Sequence, residues 1–283
     1  MMSLLIQLRY RIKAIETIKK ITHAMRLISM SSRSRLKSKE DALHEYIATS
    51  QQFFSRIQKS APDWKSPLTV TAEQQNQLVI LIGSQRGLCG NFNTVLFHFF
   101  EKSISKPQGN GKIQMIVVGK KAINYVEDNP LYDIIARFPD LHAKTIGSIA
   151  HQIMDIISTV QPQFSPVTVF SNRLKTFFVQ KPQEYVLIPF SPSKSDQPVI
   201  VTNEYYWEQD PTELLNQLAY QTIETQLYYL IFESLLAEHA ARFISMDNAT
   251  RNAQTLLEDN QLQYNKLRQA KITKELTELV SSM

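Results

Sequence analysis

Along this chain apolar residues recur with a helical period at both ends and in short, strand-sized runs between them. At the N-terminal end Leu5, Leu8, Ile12 and Ile15 form one stripe, which Ile18, Ile21, Met25 and Ile28 continue with a small phase slip. Ser29 to Ser34 turn polar, and Leu36, Leu43, Ile47, Phe54 and Ile57 then resume a stripe before Pro62. The C-terminal period is cleaner. Phe232, Leu236, His239, Phe243, Met246, Thr250, Ala253, Leu257, Asn260, Tyr264 and Leu267 follow in steps of four and three, which is a heptad seam. His239, Thr250 and Asn260 stand where a stable zipper has Leu or Ile. Such residues lower stability, fix register, and suit a helix that releases and remakes contacts.

The middle alternates strand and helix signals. Residues 78–82, Leu-Val-Ile-Leu-Ile, read as a buried strand, followed by a turn from Gly83 to Gly90 and a helical stretch from Asn93. Residues 113–118 predict a second strand, with a helix starting near Lys120, and Asp133 to Phe138 a third. Thr145 to Val160 predict a helix with Ile146, Ile149, Ile153 and Ile157 on one face. Val167 to Phe170 and Thr176 to Ile188 are β-rich. Strands alternating with helices predict a mostly parallel sheet.

Glycine and proline punctuate this pattern. All seven glycines lie between Gly83 and Gly147, and the prolines run from Pro62 to Pro211. In a helix interior Gly costs about 1 kcal/mol and Pro about 3, so the two flanks free of both predict unbroken helices. At about 1.5 Å per residue the first spans about 85–90 Å and the second about 105–110 Å. Asp210 and Pro211 supply a cap and a first helical residue for the second. The expected fold is α/β: an N-terminal coiled-coil helix over 1–61, a central Rossmann-like α/β domain over 76–208, and a C-terminal coiled-coil helix over 210–283. The two helices pair as a long antiparallel coiled coil.

Charge supports that pairing. Residues 1–61 hold twelve Lys and Arg against four acids, and residues 212–283 hold six against nine, within a net charge of +5. The chain has no apolar run of about 18 residues that would span a membrane, and its N-terminus lacks the apolar core of a secretion signal. Cys89, the single cysteine, leaves no internal disulfide and fits a reducing cytoplasm.

A strand, a glycine-rich turn and a helix start can cradle phosphate. A P-loop pattern counted from Gly83 puts its second glycine at Leu88, however, and no lysine follows. The dinucleotide fingerprint is absent too. The segment therefore reads as a packing or docking turn carried by Arg86, Gly87, Cys89 and Gly90, without direct ATP binding. A catalytic Cys89 needs a positioned base, and the sequence brings neither His98 nor His142 to it. The six histidines, His23, His44, His98, His142, His151 and His239, form no metal-ligand spacing, so no metal or cofactor is expected. Arg33, Arg35, Lys37 and Lys39 form a basic cluster on the first helix. It reads equally as a phosphate-binding surface, a solvated face, or a cationic face turned to an acidic partner. A nucleic-acid-binding or scaffold coiled coil and an α/β enzyme acting through Cys89 stand as alternatives. The acidic second helix argues against the first of these.

The C-terminal residues 233–253, ESLLAEHAARFISMDNATRNA, and 262–281, LQYNKLRQAKITKELTELVS, resemble the C-terminal signature of the γ subunits of F-type ATP synthases. Three further segments resemble that family in the right order. They are Ile12-x-x-Ile-x-x-Ile-Lys-Lys-Ile-Thr-His-Ala-Met25, Arg86-Gly-Leu-Cys-Gly90 and Tyr205-Tyr-Trp-Glu-Gln-Asp-Pro211. The resemblance runs from end to end and is weak between about 100 and 200. The chain departs from the family's pattern after Met25, at Gln85 where an acid is common, and at Asn91 where a glycine is common. It also lacks the regulatory cysteine pair of chloroplast-type members, so no thiol control is expected.

The resemblance implies a non-catalytic central stalk. Its two helices form an antiparallel coiled coil inside a ring of α and β subunits, with the C-terminal helix reaching furthest. The α/β domain meets the ε subunit and the membrane c-ring. Ion flow, of protons or sodium, turns the c-ring and shaft, and each β site changes its nucleotide affinity as a different face passes. By position, Met25, Arg242, Arg268, Gln269, Thr273 and Glu275 are candidates for contacts to β, and Tyr205, Trp207 and Glu208 for the foot on the c-ring and ε. Each is equally readable as a coiled-coil surface residue. The implied place is peripheral, on the cytoplasmic face of a bacterial inner membrane.

Overall fold

A computed structural model describes residues 2–60, 64–66, 68–69, 77–104, 113–127, 129–160, 166–190 and 210–281. Two long helices bracket the rest of the chain: α1 over Met2–Ser60 and α5 over Pro211–Ser281. Between them lie β1 (Leu78–Ile82), α2 (Phe92–Ser103), β2 (Ile113–Val118), α3 (Lys120–Glu127), β3 (Tyr132–Phe138), α4 (Ile146–Val160), β4 (Val167–Thr176) and β5 (Val179–Ile188). By compactness the chain divides into two units that cut across both long helices: Met1–Ser32 with Arg242–Met283, and Arg33–Ala241.

The larger unit is built on a five-stranded sheet of order β3-β2-β1-β4-β5. The first four strands are parallel and β5 is antiparallel to β4. β1 is apolar throughout and wholly buried, as a central strand covered on both faces must be. Its side chains alternate between two cores. Leu78, Ile80 and Ile82 face a cluster with Ile146, Ile149, Ile153 and Ile157 of α4 and Ile223, Leu227 and Ile231 of α5. Val79 and Leu81 face Leu96 and Phe100 of α2 and Ala122, Ile123 and Val126 of α3. The strand ends close to α3: a Cβ at Gly83 would sit 2.8 Å from that of Ala122, so only glycine fits there. Farther along α1 and α5, Phe54, Ile57, Trp64, Leu215 and Ala219 form a third cluster, and Trp64 Nε1 donates to Asn216 Oδ1 at 3.0 Å. Asp210 caps α5, accepting from the Thr212 N–H at 2.9 Å.

The strand pattern departs from expectation at the hairpin. β4 runs on through Ser171–Thr176, the turn falls at Phe177-Phe178, and β5 begins at Val179 rather than Thr176. Apart from the half-buried Leu174, the far end of β4 from Arg173 is exposed and polar, which hides its strand signal. Its backbone nevertheless pairs with β5 down to Thr176↔Val179.

The smaller unit pairs the start of α1 with the end of α5. Thr22 meets Thr250, Arg26 meets Asp247, and Ile15 packs with Ala253 and Leu257, so the helices run antiparallel. Every position of the C-terminal heptad seam from Met246 to Leu267 is buried or half-buried. The N-terminal stripe is corrected. Leu8, Ile15, Thr22 and Ser29 are buried at a strict spacing of seven, whereas Ile18, Ile21 and Ile28 are exposed. The phase does not slip. A packed antiparallel partner holds α1 to an unbroken heptad, and the seam passes onto small polar residues while the isoleucines turn outward. The seam hydroxyls stay satisfied: Ser29 donates to the Met25 carbonyl at 2.9 Å and Thr22 to that of Lys19 at 3.1 Å.

Candidate functional site

The turn after β1 is fastened to α5 by one carboxylate. Glu238, 2% exposed, accepts from the backbone N–H groups of Gln85 at 3.1 Å and Arg86 at 3.5 Å. Asn93 closes the turn from the other side. Its Oδ1 accepts from the Ser84 N–H at 3.0 Å and its Nδ2 donates to Ser84 Oγ at 2.8 Å, 3.4 Å from Cys89 Sγ. Cys89 and Phe92 pack against Ala237 and Ala241, whose small side chains admit the turn. Leu88 is 58% exposed and adopts φ +63°. A left-handed leucine costs about 1–2 kcal/mol and persists where its surroundings over-determine it. Of the turn residues singled out by sequence, Arg86 and Gly90 are exposed, Gly87 is half-buried and Cys89 is buried.

In the coiled unit, polar pairs occupy three successive layers of the seam. Lys19 Nζ donates to Gln254 Oε1, the Thr22 and Thr250 hydroxyls lie 2.9 Å apart, and Arg26 reaches Asp247 at 2.6 Å. Arg251 meets the same carboxylate at 2.9 Å. The hydrogen bond from Arg26 holds the Asp247 carboxyl below its usual 3.8, opposed by burial and helped by the charges of Arg251 and Arg26. Outside the seam, Ile18, Ile21, Leu27 and Ile28 on α1 and Leu256, Leu262, Ile272, Leu276 and Val280 on α5 are all exposed. Followed along the register set by Thr22 and Thr250, the first residue of α1 stands level with about residue 270. Ile272–Ser281 therefore extends past the end of its partner helix.

Arg268 and Gln269 just before this segment, and Thr273 and Glu275 within it, are all exposed. Thr273 donates to the Gln269 carbonyl at 3.0 Å, and Glu275 pairs with Lys271 at 3.4 Å. Met25 is half-buried, and Arg242 is buried at 6% exposure. Tyr205, Trp207 and Glu208 lie outside the described residues. Among the described residues no group of His, Cys, Asp and Glu is placed to hold a metal, and no helix is long and apolar enough to cross a membrane.

Sequence reasoning missed two buried acids. Besides Glu238, Glu233 is 7% exposed and meets Arg173 at 3.4 Å and Gln183 Nε2 at 3.3 Å. Burial raises its carboxyl above the usual 4.5, opposed by Arg173 and Gln183. The signal was present: these are the only two acids in the mostly apolar Leu230–Ala241 stretch of α5. An ionisable residue in such a stretch is buried only with a partner.

A family model described as ATP synthase matches residues 5–283. The chain is 30% identical over 287 residues to the ATP synthase gamma chain of Pelagibacter ubique, covering 99% of this chain and 98% of that one. It is 28% identical over 288 residues to the ATP synthase gamma chain of Chlorobium phaeobacteroides, covering 99% and 97%. In fold it is similar to a chain of the Euglena gracilis mitochondrial ATP synthase, with a TM-score of 0.57, 18% identity, and 92% and 94% of the two chains covered. The chain therefore belongs to the family of ATP synthase γ chains, the central-stalk subunit of that machine.

Proposed function

We propose that this chain turns inside a ring of α and β subunits, with its α/β domain on the ε subunit and the membrane c-ring, at the cytoplasmic face of a bacterial inner membrane. The observation that carries the reading is the apolar cladding of the coiled unit. Ile18, Ile21 and Ile28 are each more than half exposed although the seam beside them is polar. An exposed apolar face of this kind marks a surface that a partner covers.

The mechanism follows from asymmetry. Because the two helices present different side chains at each angle, a β subunit meets contacts that differ with rotation. Only such differential contacts shift an equilibrium between states of β. The exposed Arg268, Gln269, Thr273 and Glu275, with Met25 and Arg242, supply the contacts to β. The turn at Arg86–Gly90 offers a second docking point. The bond-making chemistry of ATP belongs to β, and the coupling ion, proton or sodium, is set by the c-ring.

The test is reconstitution with α, β, ε and c-ring in vesicles, reading ATP-driven proton and sodium uptake. Wild-type chain should support uptake of one ion, and Ile18→Asn with Ile21→Asn and Ile28→Asn should lower assembly yield or uptake. Full assembly and uptake by that triple variant would overturn the covered-face argument.

A further inference from the structure

We propose that an open cleft of the larger unit receives one cationic side chain, lysine or arginine, from a neighbouring subunit; this rests on the assembly reading above. The cleft has a volume of about 330 Å³ and lies between α1, α4 and α5. Its lining includes the apolar Leu43 and Ala150, the aromatic Tyr46 and Tyr228, and one acid, Glu224.

Three features make this a shaped site. The first is room. A Cβ on Gly147 would lie 3.9 Å from the Tyr228 ring, so the missing side chain leaves open space that any larger residue would fill. The second is a fixed ring. The Tyr46 hydroxyl accepts from Gln221 Nε2 at 3.2 Å, which holds a ring that is otherwise about half exposed. The third is charge. The titratable groups around the cleft are Glu224 and, beside it, His151 and Asp155. His151 Nδ1 lies 3.1 Å from Glu224 Oε1 and its Nε2 lies 3.7 Å from Asp155 Oδ2. Tyr220 Oη reaches Asp155 Oδ1 at 3.3 Å. Two carboxylates thus stand beside one imidazole, and Glu224 remains 30% exposed.

The chemistry of the occupant follows. Aromatic faces attract a cation, a carboxylate accepts paired N–H groups, and an apolar lining suits the methylene stem that Lys and Arg bury while their heads stay polar. The cleft admits a single side chain of that form and disfavours an acidic one. A guanidinium fits best because it is planar enough to lie against a tyrosine ring while reaching Glu224.

The probes are n-butylguanidinium and its neutral counterpart n-butylurea, titrated onto the full chain while the Leu43 and Ala150 methyl signals are followed by NMR. Butylguanidinium should shift these methyls with a Kd at least tenfold below that of butylurea. Glu224→Gln, which keeps the shape, should erase the difference, and Gly147→Leu should abolish binding of both. In the assembled complex the same concentration of butylguanidinium should no longer bind. Equal affinity for both probes, or unchanged preference in Glu224→Gln, would overturn cation recognition. Unchanged binding in the complex would mean that a free organic cation, rather than a subunit's side chain, is the occupant. Assembly itself is read by gel filtration. A chain that fails to join α and β would sink the assembly reading, while the titration of the free chain still decides whether the cleft prefers a cation.

Discussion

The hydroxyls of Thr22 and Thr250 meet at 2.9 Å in the seam between the antiparallel helices, where a stable coiled coil would hold two aliphatic side chains. Each hydroxyl also reaches a carbonyl of its own helix, Thr250 that of Met246 at 2.7 Å and Thr22 that of Lys19 at 3.1 Å, so losing one partner does not leave the other unsatisfied. Replacing both partners of a buried hydrogen bond by apolar groups of the same shape is close to neutral or stabilising. Thr22→Val with Thr250→Val should therefore raise amide-exchange protection along both helices, and Thr22→Val alone should lower it only slightly. Equal protection in single and double variants would show that the pair carries no coupling.

Two acids titrate in opposite senses. Asp247 has its carboxyl lowered by the hydrogen bond from Arg26. It therefore stabilises the coiled unit above its unfolded value, near 3.8, and that contribution is lost as pH falls through the lower folded value. Glu233 has its carboxyl raised by burial. The larger unit is therefore less stable as pH rises from the unfolded value, near 4.5, through the higher folded one. Asp247→Asn should remove the acid sensitivity of exchange in the helical arms. Glu233→Gln should leave the sheet as stable at pH 7 as at pH 5, or more so. Identical pH profiles for wild type and both variants would contradict these assignments.

Glu238 is the acceptor for two backbone amides of the turn, so Glu238→Ala removes the side-chain acceptor of both. The expected loss is about 1–3 kcal/mol, felt first at the turn. Cys89 is 3% exposed and reports it. Maleimide labelling of Cys89 should be slow in wild type and markedly faster in the variant, with the strand signals of the sheet unchanged. Equal labelling rates would show that the turn holds without Glu238.

Arg268 and Gln269 are exposed on α5 near the end of its partner helix, so replacing both by Ala should leave unfolding of the free chain unchanged. A guanidinium gives a carboxylate two parallel hydrogen bonds, and bonds to charged groups contribute about 1.5–3 kcal/mol, enough to bias one rotational state. In reconstituted vesicles the double variant should lose ATP-driven ion uptake or assembly yield. Wild-type uptake, assembly and hydrolysis would show that neither residue touches β.

The long helices were legible because Gly and Pro are absent from both flanks, and the sheet because β1 and β2 are short unbroken apolar runs. The C-terminal seam was legible position by position, since most of its members are large and apolar. The N-terminal seam was not. Counting hydrophobic residues selects Ile18, Ile21 and Ile28, yet Lys19, Thr22 and Arg26 face the partner helix. Periodicity finds the most apolar face of a helix, and where a second surface is also apolar the choice belongs to the partner. The turn was legible as a glycine-rich segment, but its anchor, Glu238, lies 152 residues from Arg86. Only the packed structure reveals that pairing.

The outward isoleucines also bear on how the cell must make this chain. A newly synthesised copy carries a water-averse stripe along Ile18, Ile21 and Ile28 from the moment its first helix leaves the ribosome, and a lone copy offers that stripe to any other greasy surface, including a second copy of itself. Production in step with its partners is therefore a condition of its solubility, and a surplus molecule becomes a substrate for chaperones and proteases.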